Sequence, residues 1–131
     1  METAEIRKLP DAELSVMMAL WSADQPVPRS WLEERLTEKH WNTKTVNTYL
    51  IRLTEKGAVH SQRQGKTNFY TPAYSREAYL EFENRFFLEK LYDSSLKNFM
   101  AAMVSSKEVK KADLAELRQY LDQLEDGGSE K

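Results

Sequence analysis

The residues that could do chemistry in this sequence are few, and they favour binding over catalysis. The 131-residue chain has no cysteine and only two histidines, His40 and His60. Neither histidine has a metal-ligating residue three or four positions away, so each is predicted to be an ordinary surface or boundary residue. Nucleophile motifs, phosphate-binding loops and dinucleotide glycine patterns are also absent from the sequence. The sequence therefore indicates neither an enzyme nor a cofactor or metal site.

The most informative side chains lie between residues 44 and 52. A helix that reads base edges needs short hydrogen-bonding groups, an amide that can pair with adenine, and cations for phosphate or guanine. Thr45, Asn47 and Thr48 supply the hydroxyls and the amide, and Lys44 and Arg52 supply the cations. This combination predicts a face that enters the major groove of DNA. A merely solvated helix face is the alternative.

Three predicted helices position these side chains. They cover residues 12–21, residues 30–36, and a stretch that begins at a cap on Asn42 or Thr43 and stops at Gly57. Helical periodicity gives the first and third helices an inward face. That face consists of Leu14, Met17, Met18 and Trp21 in the first helix and of Val46, Tyr49, Leu50 and Leu53 in the third, where Ile51 falls on the outward side.

A β-hairpin is predicted to follow the third helix. Two short extended runs, at residues 58–64 and 69–72, surround a polar tip that contains Gly65. Arg63 and Lys66 flank this tip, where a cation can reach the phosphates beside the groove. Phe69 and Tyr70 are expected to pack against the helices, with a stacking platform for single-stranded nucleic acid as the alternative.

The charge along the chain agrees with a binding surface for nucleic acid. Residues 40–70 hold five cations against Glu55 alone, a local net charge of +4 in a chain whose total is −2. The remainder is therefore −6, and a phosphate-binding surface depends on the local field and not on the total. The chain has no signal-peptide pattern at its start and no apolar run long enough to cross a membrane, so we expect a cytoplasmic protein with no membrane partner.

The C-terminal part carries a different pattern, an aromatic and aliphatic stripe on three predicted helices. Residues 75–125 are too few to bury so many large apolar side chains alone, so a second copy of the chain is predicted to cover them. Packing against the chain's own N-terminal domain is the alternative. The predicted dimerisation residues are Tyr79, Phe82, Phe86, Phe87, Leu91, Phe99, Met103, Leu117 and Leu121.

These patterns predict a mainly α fold with a small β-hairpin wing. Residues 1–74 form a winged helix-turn-helix DNA-binding domain, residues 75–125 a helical dimerisation domain, and residues 126–131 a disordered tail.

The sequence resembles the penicillinase-repressor family, which includes the BlaI, MecI and CopY repressors, over residues 9–124. The matching signatures are Leu9-Pro10-Asp11-Ala12-Glu13, Val16-Met17, Leu20-Trp21, Trp41-Asn42-Thr43-Lys44-Thr45-Val46, Thr48, Leu50, Arg52-Leu53, Lys56-Gly57 and Phe69-Tyr70.

The resemblance implies a homodimer that represses transcription from an inverted-repeat operator in double-stranded DNA. It places Thr43, Lys44, Thr45, Asn47, Thr48 and Arg52 on the recognition helix and Arg63 and Lys66 on the wing. Some family members are inactivated by cleavage of an Asn-Phe bond, which falls at Ala102-Met103 here, while Asn98-Phe99 lies slightly earlier. Copper-responsive members use cysteines that this chain lacks. An inactivating protease and an unknown inducer therefore both stay open, and a winged helix that binds protein and not DNA is the alternative function.

Overall fold

The computed structural model describes residues 5–127, which form six α-helices and three short β-strands. The chain divides into two compact units, Met1–Asn84 and Arg85–Lys131. The mainly helical class with a small sheet is confirmed. In chain order the elements are α1 (Asp11–Trp21), β1 (Val27–Pro28), α2 (Arg29–Arg35), a 3-10 turn (Thr37–Lys39), α3 (Thr43–Glu55), β2 (Val59–Gln64), β3 (Thr67–Pro72), α4 (Arg76–Tyr92), α5 (Leu96–Ser105) and α6 (Lys111–Asp126).

The sheet contains the predicted hairpin and one strand that the sequence did not reveal. Its order is β1-β3-β2, and both pairings are antiparallel. The hairpin turn is tighter than predicted, because β2 and β3 pair as far as Gln64 opposite Thr67. Gly65 has a φ of +66° at the first central position of this two-residue turn, where type II′ turns place glycine. The edge strand β1 is only two residues long and contains a proline. The sequence at this point therefore indicated only a break between two helices and not a strand.

The core of the first unit forms where α1, α2, α3 and the sheet meet. The inward face of α3 is confirmed, because Val46, Leu50 and Leu53 are buried. The predicted face of α1 is rotated: the helix buries Val16, Met17 and Leu20, whereas Met18 is 42% exposed. Leu32 and Leu36 complete this core from the α2 side.

Both ends of α3 are fixed by local hydrogen bonds. The Asn42 side chain accepts from the Thr45 backbone N–H at 2.8 Å and thus caps the N-terminus. At the other end Gly57 has a φ of +80°, and its N–H donates to the Thr54 carbonyl while the Ala58 N–H donates to the Leu53 carbonyl. This pair of bonds is the Schellman arrangement that glycine favours, so the predicted start and stop of the third helix are confirmed.

The first turns of α4 belong to the first unit. Tyr79 is only 1% exposed, lies 5.7 Å from the Trp21 ring, and its hydroxyl accepts from the Leu9 backbone N–H at 3.0 Å. Phe82 packs partly buried against the same core. Tyr79 was predicted to face a second copy, and this is wrong because its ring is already enclosed within its own unit. The same packing extends the first unit to Asn84, beyond residue 74.

The second unit has no enclosed core. Residues 85–127 are all described, and none of their side chains is buried. Phe87, Tyr92 and Phe99 form a small aromatic cluster with ring centroids 5.5 to 5.7 Å apart. The N-terminus of α5 is capped, because the Ser95 hydroxyl accepts from the Asn98 N–H at 3.1 Å. Of the predicted tail, Asp126 still belongs to α6, and residues 128–131 lie outside the described residues.

A testable consequence of the Tyr79 environment is a loss of stability in alkali. Burial, and then its hydrogen bond with the Glu83 carboxylate, raises the pKa of Tyr79 from 10.0 to about 12. The folded state therefore holds this proton more tightly than the unfolded state. The free energy of unfolding should be insensitive to this group below about pH 10 and should fall as the pH rises towards 12.

We expect Tyr79→Phe to lower stability at neutral pH by about 1 kcal/mol, because hydrogen bonds are lost, and to flatten the alkaline decrease. Urea unfolding at several pH values between neutral and alkaline measures both effects. Tyr120→Phe is the control, since Tyr120 is exposed. An alkaline decrease that is the same in wild type and Tyr79→Phe would contradict this assignment.

Candidate nucleic-acid interface

The outward face of α3 carries the polar and cationic side chains that were predicted to read DNA. Thr43, Lys44 and Arg52 are exposed, and Thr45, Asn47 and Thr48 are half-buried. Lys44, Asn47, Thr48 and Arg52 lie on the side of the helix away from Val46, Leu50 and Leu53, and Thr43 and Thr45 lie at the margins of that side. Ile51 is exposed beside them. The face therefore offers hydroxyls, an amide, two cations and one aliphatic group to a partner.

One hydroxyl of this face already donates its hydrogen bond within the helix, whereas its amide is unused by the residues that the structure describes. The Thr48 hydroxyl donates to the Lys44 carbonyl at 3.0 Å, so it can still accept a bond but its own hydrogen is used. Within the described part of the chain the Asn47 side chain makes no hydrogen bond. Its carbonyl oxygen and amino group can therefore form the paired bonds that an adenine edge requires.

A groove separates α3 from the wing, the hairpin made of β2 and β3. Its volume is about 280 Å³. Asn47 and Ile51 line it from the helix, and Ser61 and Asn68 line it from the wing. Sequence reasoning did not select Ser61 or Asn68, because only the strand pairing brings them opposite α3. The groove also contains Glu55, the acidic residue at the end of the helix.

The wing tip presents the two predicted cations. Arg63 and Lys66 are exposed, and the Arg63 Nε donates to the Gly65 carbonyl at 3.0 Å. This bond orients the guanidinium at the tip while leaving its terminal amino groups available. Tyr70 is buried in the core and Phe69 is half-buried, so the core-packing prediction is confirmed for Tyr70.

One cation of the predicted basic stretch is not available to a ligand. Lys56 follows α3 and forms a short ion pair with Glu13 of α1, whose side chain is only 4% exposed. The pair neutralises Lys56 in the local charge count. It also joins the end of α3 to α1, so Lys56 helps to orient the helix. The sequence could not indicate this, because the two residues are 43 positions apart.

The remaining predicted site residues lie in the second part of the chain. Phe86, Phe87, Leu91 and Leu121 are exposed. Phe99, Met103 and Leu117 are half-buried.

His40 and His60 are exposed, as expected for surface residues. Among residues 5–127 no three His, Cys, Asp or Glu side chains are arranged to hold a metal ion.

Three helices, a wing and an outward polar face on the third helix define a winged helix-turn-helix protein of the DNA-binding class. Residues 9–123 match the family described as Penicillinase repressor. The chain therefore belongs to the penicillinase repressor family and is a DNA-binding repressor of transcription. In the part of the chain that the structure describes, no helix is both long and apolar enough to span a bilayer.

Individual relatives are similar over nearly their full length. The penicillinase repressor of Bacillus licheniformis is 28% identical over 119 residues, which cover 91% of this chain and 93% of that protein. The methicillin resistance regulatory protein MecI of Staphylococcus aureus is 23% identical, covering 87% of this chain and 93% of that protein. The solved DNA-binding domain of the repressor BlaI is 31% identical with a TM-score of 0.51, and the match covers 59% of this chain and 94% of that domain.

The buried ion pair generates a stability prediction. Glu13→Ala leaves the Lys56 ammonium without its partner, and we expect the free energy of unfolding to fall by about 2 kcal/mol. Lys56→Ala should cost more, about 3 kcal/mol, because it leaves a carboxylate buried and unpaired. Urea unfolding with an unchanged m-value measures both effects.

Glu55→Ala is the matched control, since Glu55 is an exposed glutamate on α3. The double variant Glu13→Ala/Lys56→Ala should be less destabilised than the sum of the two single variants. Equal effects of Glu13→Ala and Glu55→Ala would show that the pair does not hold α3.

Proposed function

We propose that the protein represses transcription as a homodimer, with α3 of each copy in the major groove of one half of an inverted-repeat operator. The observation that carries this proposal is the outward face of α3, where Thr45, Asn47 and Thr48 lie between Lys44 and Arg52 beside a basic wing tip. No bond is made or broken in this function. An operator in chromosomal DNA places the action in the cytoplasm.

Each side chain of the face has a role that its chemistry allows. Asn47 reads an adenine edge, and Thr43, Thr45 and Thr48 approach base edges or the first phosphates of the site. Lys44 and Arg52 bind phosphate or guanine, since both are exposed cations at opposite ends of the face. Arg63 and Lys66 bind the phosphates next to the groove, where the wing tip lies in proteins of this class.

The second unit supports the homodimer. Its described residues, 85–127, include no buried side chain, yet they expose large apolar groups, among them Leu91 at 62% and Leu121 at 47%. Exposed apolar surface of this kind marks a site that a partner covers. A second copy presents the same surface and forms a two-fold contact, which matches the symmetry of an inverted repeat.

We further infer that release from the operator does not depend on cleavage at the family position. Ala102 and Met103 replace the Asn-Phe pair there, and both lie inside α5. Asn98 and Phe99 also lie inside this helix, and Phe99 packs in the aromatic cluster of the second unit. α5 would have to open before a protease could bind the backbone and cleave either bond. An inducer of another kind is therefore the simpler route to release from the operator.

The DNA-binding proposal predicts distinct losses for two variants. Asn47→Ala should lower the binding free energy that depends on one base pair by about 1–3 kcal/mol. It should change little at the other positions of the operator. Arg52→Ala, if it contacts a phosphate, should weaken binding to all sequences and reduce the salt slope by about 0.9. Fluorescence anisotropy with the DNA upstream of the chain's own gene, at several salt concentrations, measures both.

Arg76→Ala is the control, because Arg76 is an exposed cation outside α3 and the wing. The choice of face is wrong if neither Asn47→Ala nor Arg52→Ala changes binding. A wild-type protein that shows no salt-dependent affinity for any duplex would instead indicate a module that binds protein.

The homodimer predicts that a charge in the second unit separates the copies. Leu91→Asp and Leu121→Asp each place a carboxylate where the partner should cover an apolar group. Two lost leucine contacts per dimer, at about 1.5–3 kcal/mol each, should raise the dissociation constant at least about 100-fold. Sedimentation at micromolar concentration measures this change.

Met18→Asp is the matched control, since Met18 is an exposed apolar residue of the first unit. A wild-type chain that sediments as a monomer, or a Leu91→Asp variant that remains fully dimeric, would contradict the proposed interface.

A further inference from the structure

A second basic site lies at the edge strand β1, where this strand leads into α2 beside the wing. It is a cleft of about 290 Å³ where the end of β1, the first turn of α2 and the wing meet. Two cations, Arg29 and Lys66, line the same cleft, and none of its lining residues is acidic. The other residues that line it are Pro28, Ser30, Thr67, Asn68 and Tyr70. Two cations in one cleft whose lining contains no acidic residue favour an anionic ligand.

Arg29 is held in place for such a ligand. It is the first residue of α2 and follows Pro28, which pairs with Phe69 of β3. Its Nε donates to the Glu33 carboxylate at 3.2 Å, four residues further along the helix. This bond uses one of the five guanidinium N–H groups and leaves the terminal amino groups free to donate. The ion pair therefore orients Arg29 without occupying it.

The polar residues of the cleft match a phosphate group. Ser30 and Thr67 add hydroxyls and Asn68 adds an amide, all of which can donate to phosphate oxygens. Arg29 and Lys66 enter from two different elements, so they can neutralise one phosphate from both sides. The sequence patterns indicated Lys66 alone, because the β1 to β3 pairing that brings Arg29 near the wing leaves no local signal.

The position of the cleft identifies the source of the phosphate. In helix-turn-helix proteins the helix before the recognition helix crosses the DNA backbone while the recognition helix lies in the groove. Here that preceding helix is α2, and Lys66 is on the wing tip. We propose that Arg29 and Lys66 clamp a single backbone phosphate of the operator between α2 and the wing. This proposal rests on the proposed DNA-binding function, and it adds a contact that joins the two elements through the DNA.

The test combines protein variants with neutralised phosphates. The double variant Arg29→Gln/Lys66→Gln should reduce the slope of log K against log salt by about 0.9, because one phosphate loses both of its cations, and each single variant should reduce the slope by less. Operators are then made with one methylphosphonate, an uncharged phosphate substitute, at each backbone position in turn. One such position should weaken binding of the wild type and leave binding of the double variant Arg29→Gln/Lys66→Gln unchanged. Arg35→Gln is the control, because Arg35 lies on the same helix but stacks over Trp31 at 3.8 Å outside the cleft.

Each outcome decides between the proposals. If every methylphosphonate that weakens the wild type also weakens the double variant, the clamp does not exist, although the DNA-binding function stands. A second pair of results also overturns the clamp. In it, inorganic phosphate at constant ionic strength shifts the amide resonances of Arg29 and Lys66, while both single variants bind the operator like wild type. The cleft would then bind a free anion and not the DNA backbone. If the wild type binds no duplex at all, the proposed function fails together with the clamp. Unchanged thermal unfolding of the variants excludes misfolding as the cause of any loss.

Discussion

The outward polar face of α3 depends on the burial of one apolar stripe of the same helix. Val46, Leu50 and Leu53 are almost completely enclosed, and each buried side chain of this size contributes about 1.5–3 kcal/mol. Successive residues of a helix point about 100° apart, so a rotation by one position would expose this stripe and push Asn47 into the core. An amide buried without partners costs about 1–3 kcal/mol, and the two losses would add. The core thus selects the polar face without any contact to DNA.

Contacts at the two ends of α3 fix the position of the helix along its axis, which the burial of the apolar stripe does not determine. Burial sets the rotation of the helix but permits it to slide along its axis or to fray. The Asn42 cap determines the first turn, where Thr43 and Lys44 lie, and the Gly57 turn directs the chain into β2. Since the Glu13 pair holds Lys56 against α1, the wing starts from a fixed point. A recognition helix that is ordered before binding loses less conformational entropy when DNA arrives.

Local signals made α3 and the hairpin predictable, and long-range contacts account for what was missed. The third helix combined a regular apolar period, a capping residue and a terminal glycine, all of which lie within 16 consecutive positions. The buried face of α1 was placed incorrectly because its apolar residues almost encircle the helix, and only packing selects Val16 and Leu20 over Met18. Tyr79 looked like part of a continuous aromatic stripe, yet its hydroxyl bonds a residue 70 positions away. The pairing of β1 with β3 that creates the Arg29 cleft joins Val27 to Tyr70, which are also far apart in the sequence, and leaves no periodic signal.

In the proposed dimer, operator binding is a property of the assembly, because residues 85–127 of a single chain bury no side chain. One copy of the face reads only a few base pairs, and contacts of that number give modest affinity. In the proposed dimer the second copy binds its half-site as an intramolecular event, so the effective concentration of that face rises to about the millimolar range. Affinity for the operator then depends on the same apolar surface, around Leu91 and Leu121, that is exposed in a single chain. A signal that acts on residues 85–127 can therefore release the DNA without any change in α3, because separating the two copies removes the second contact.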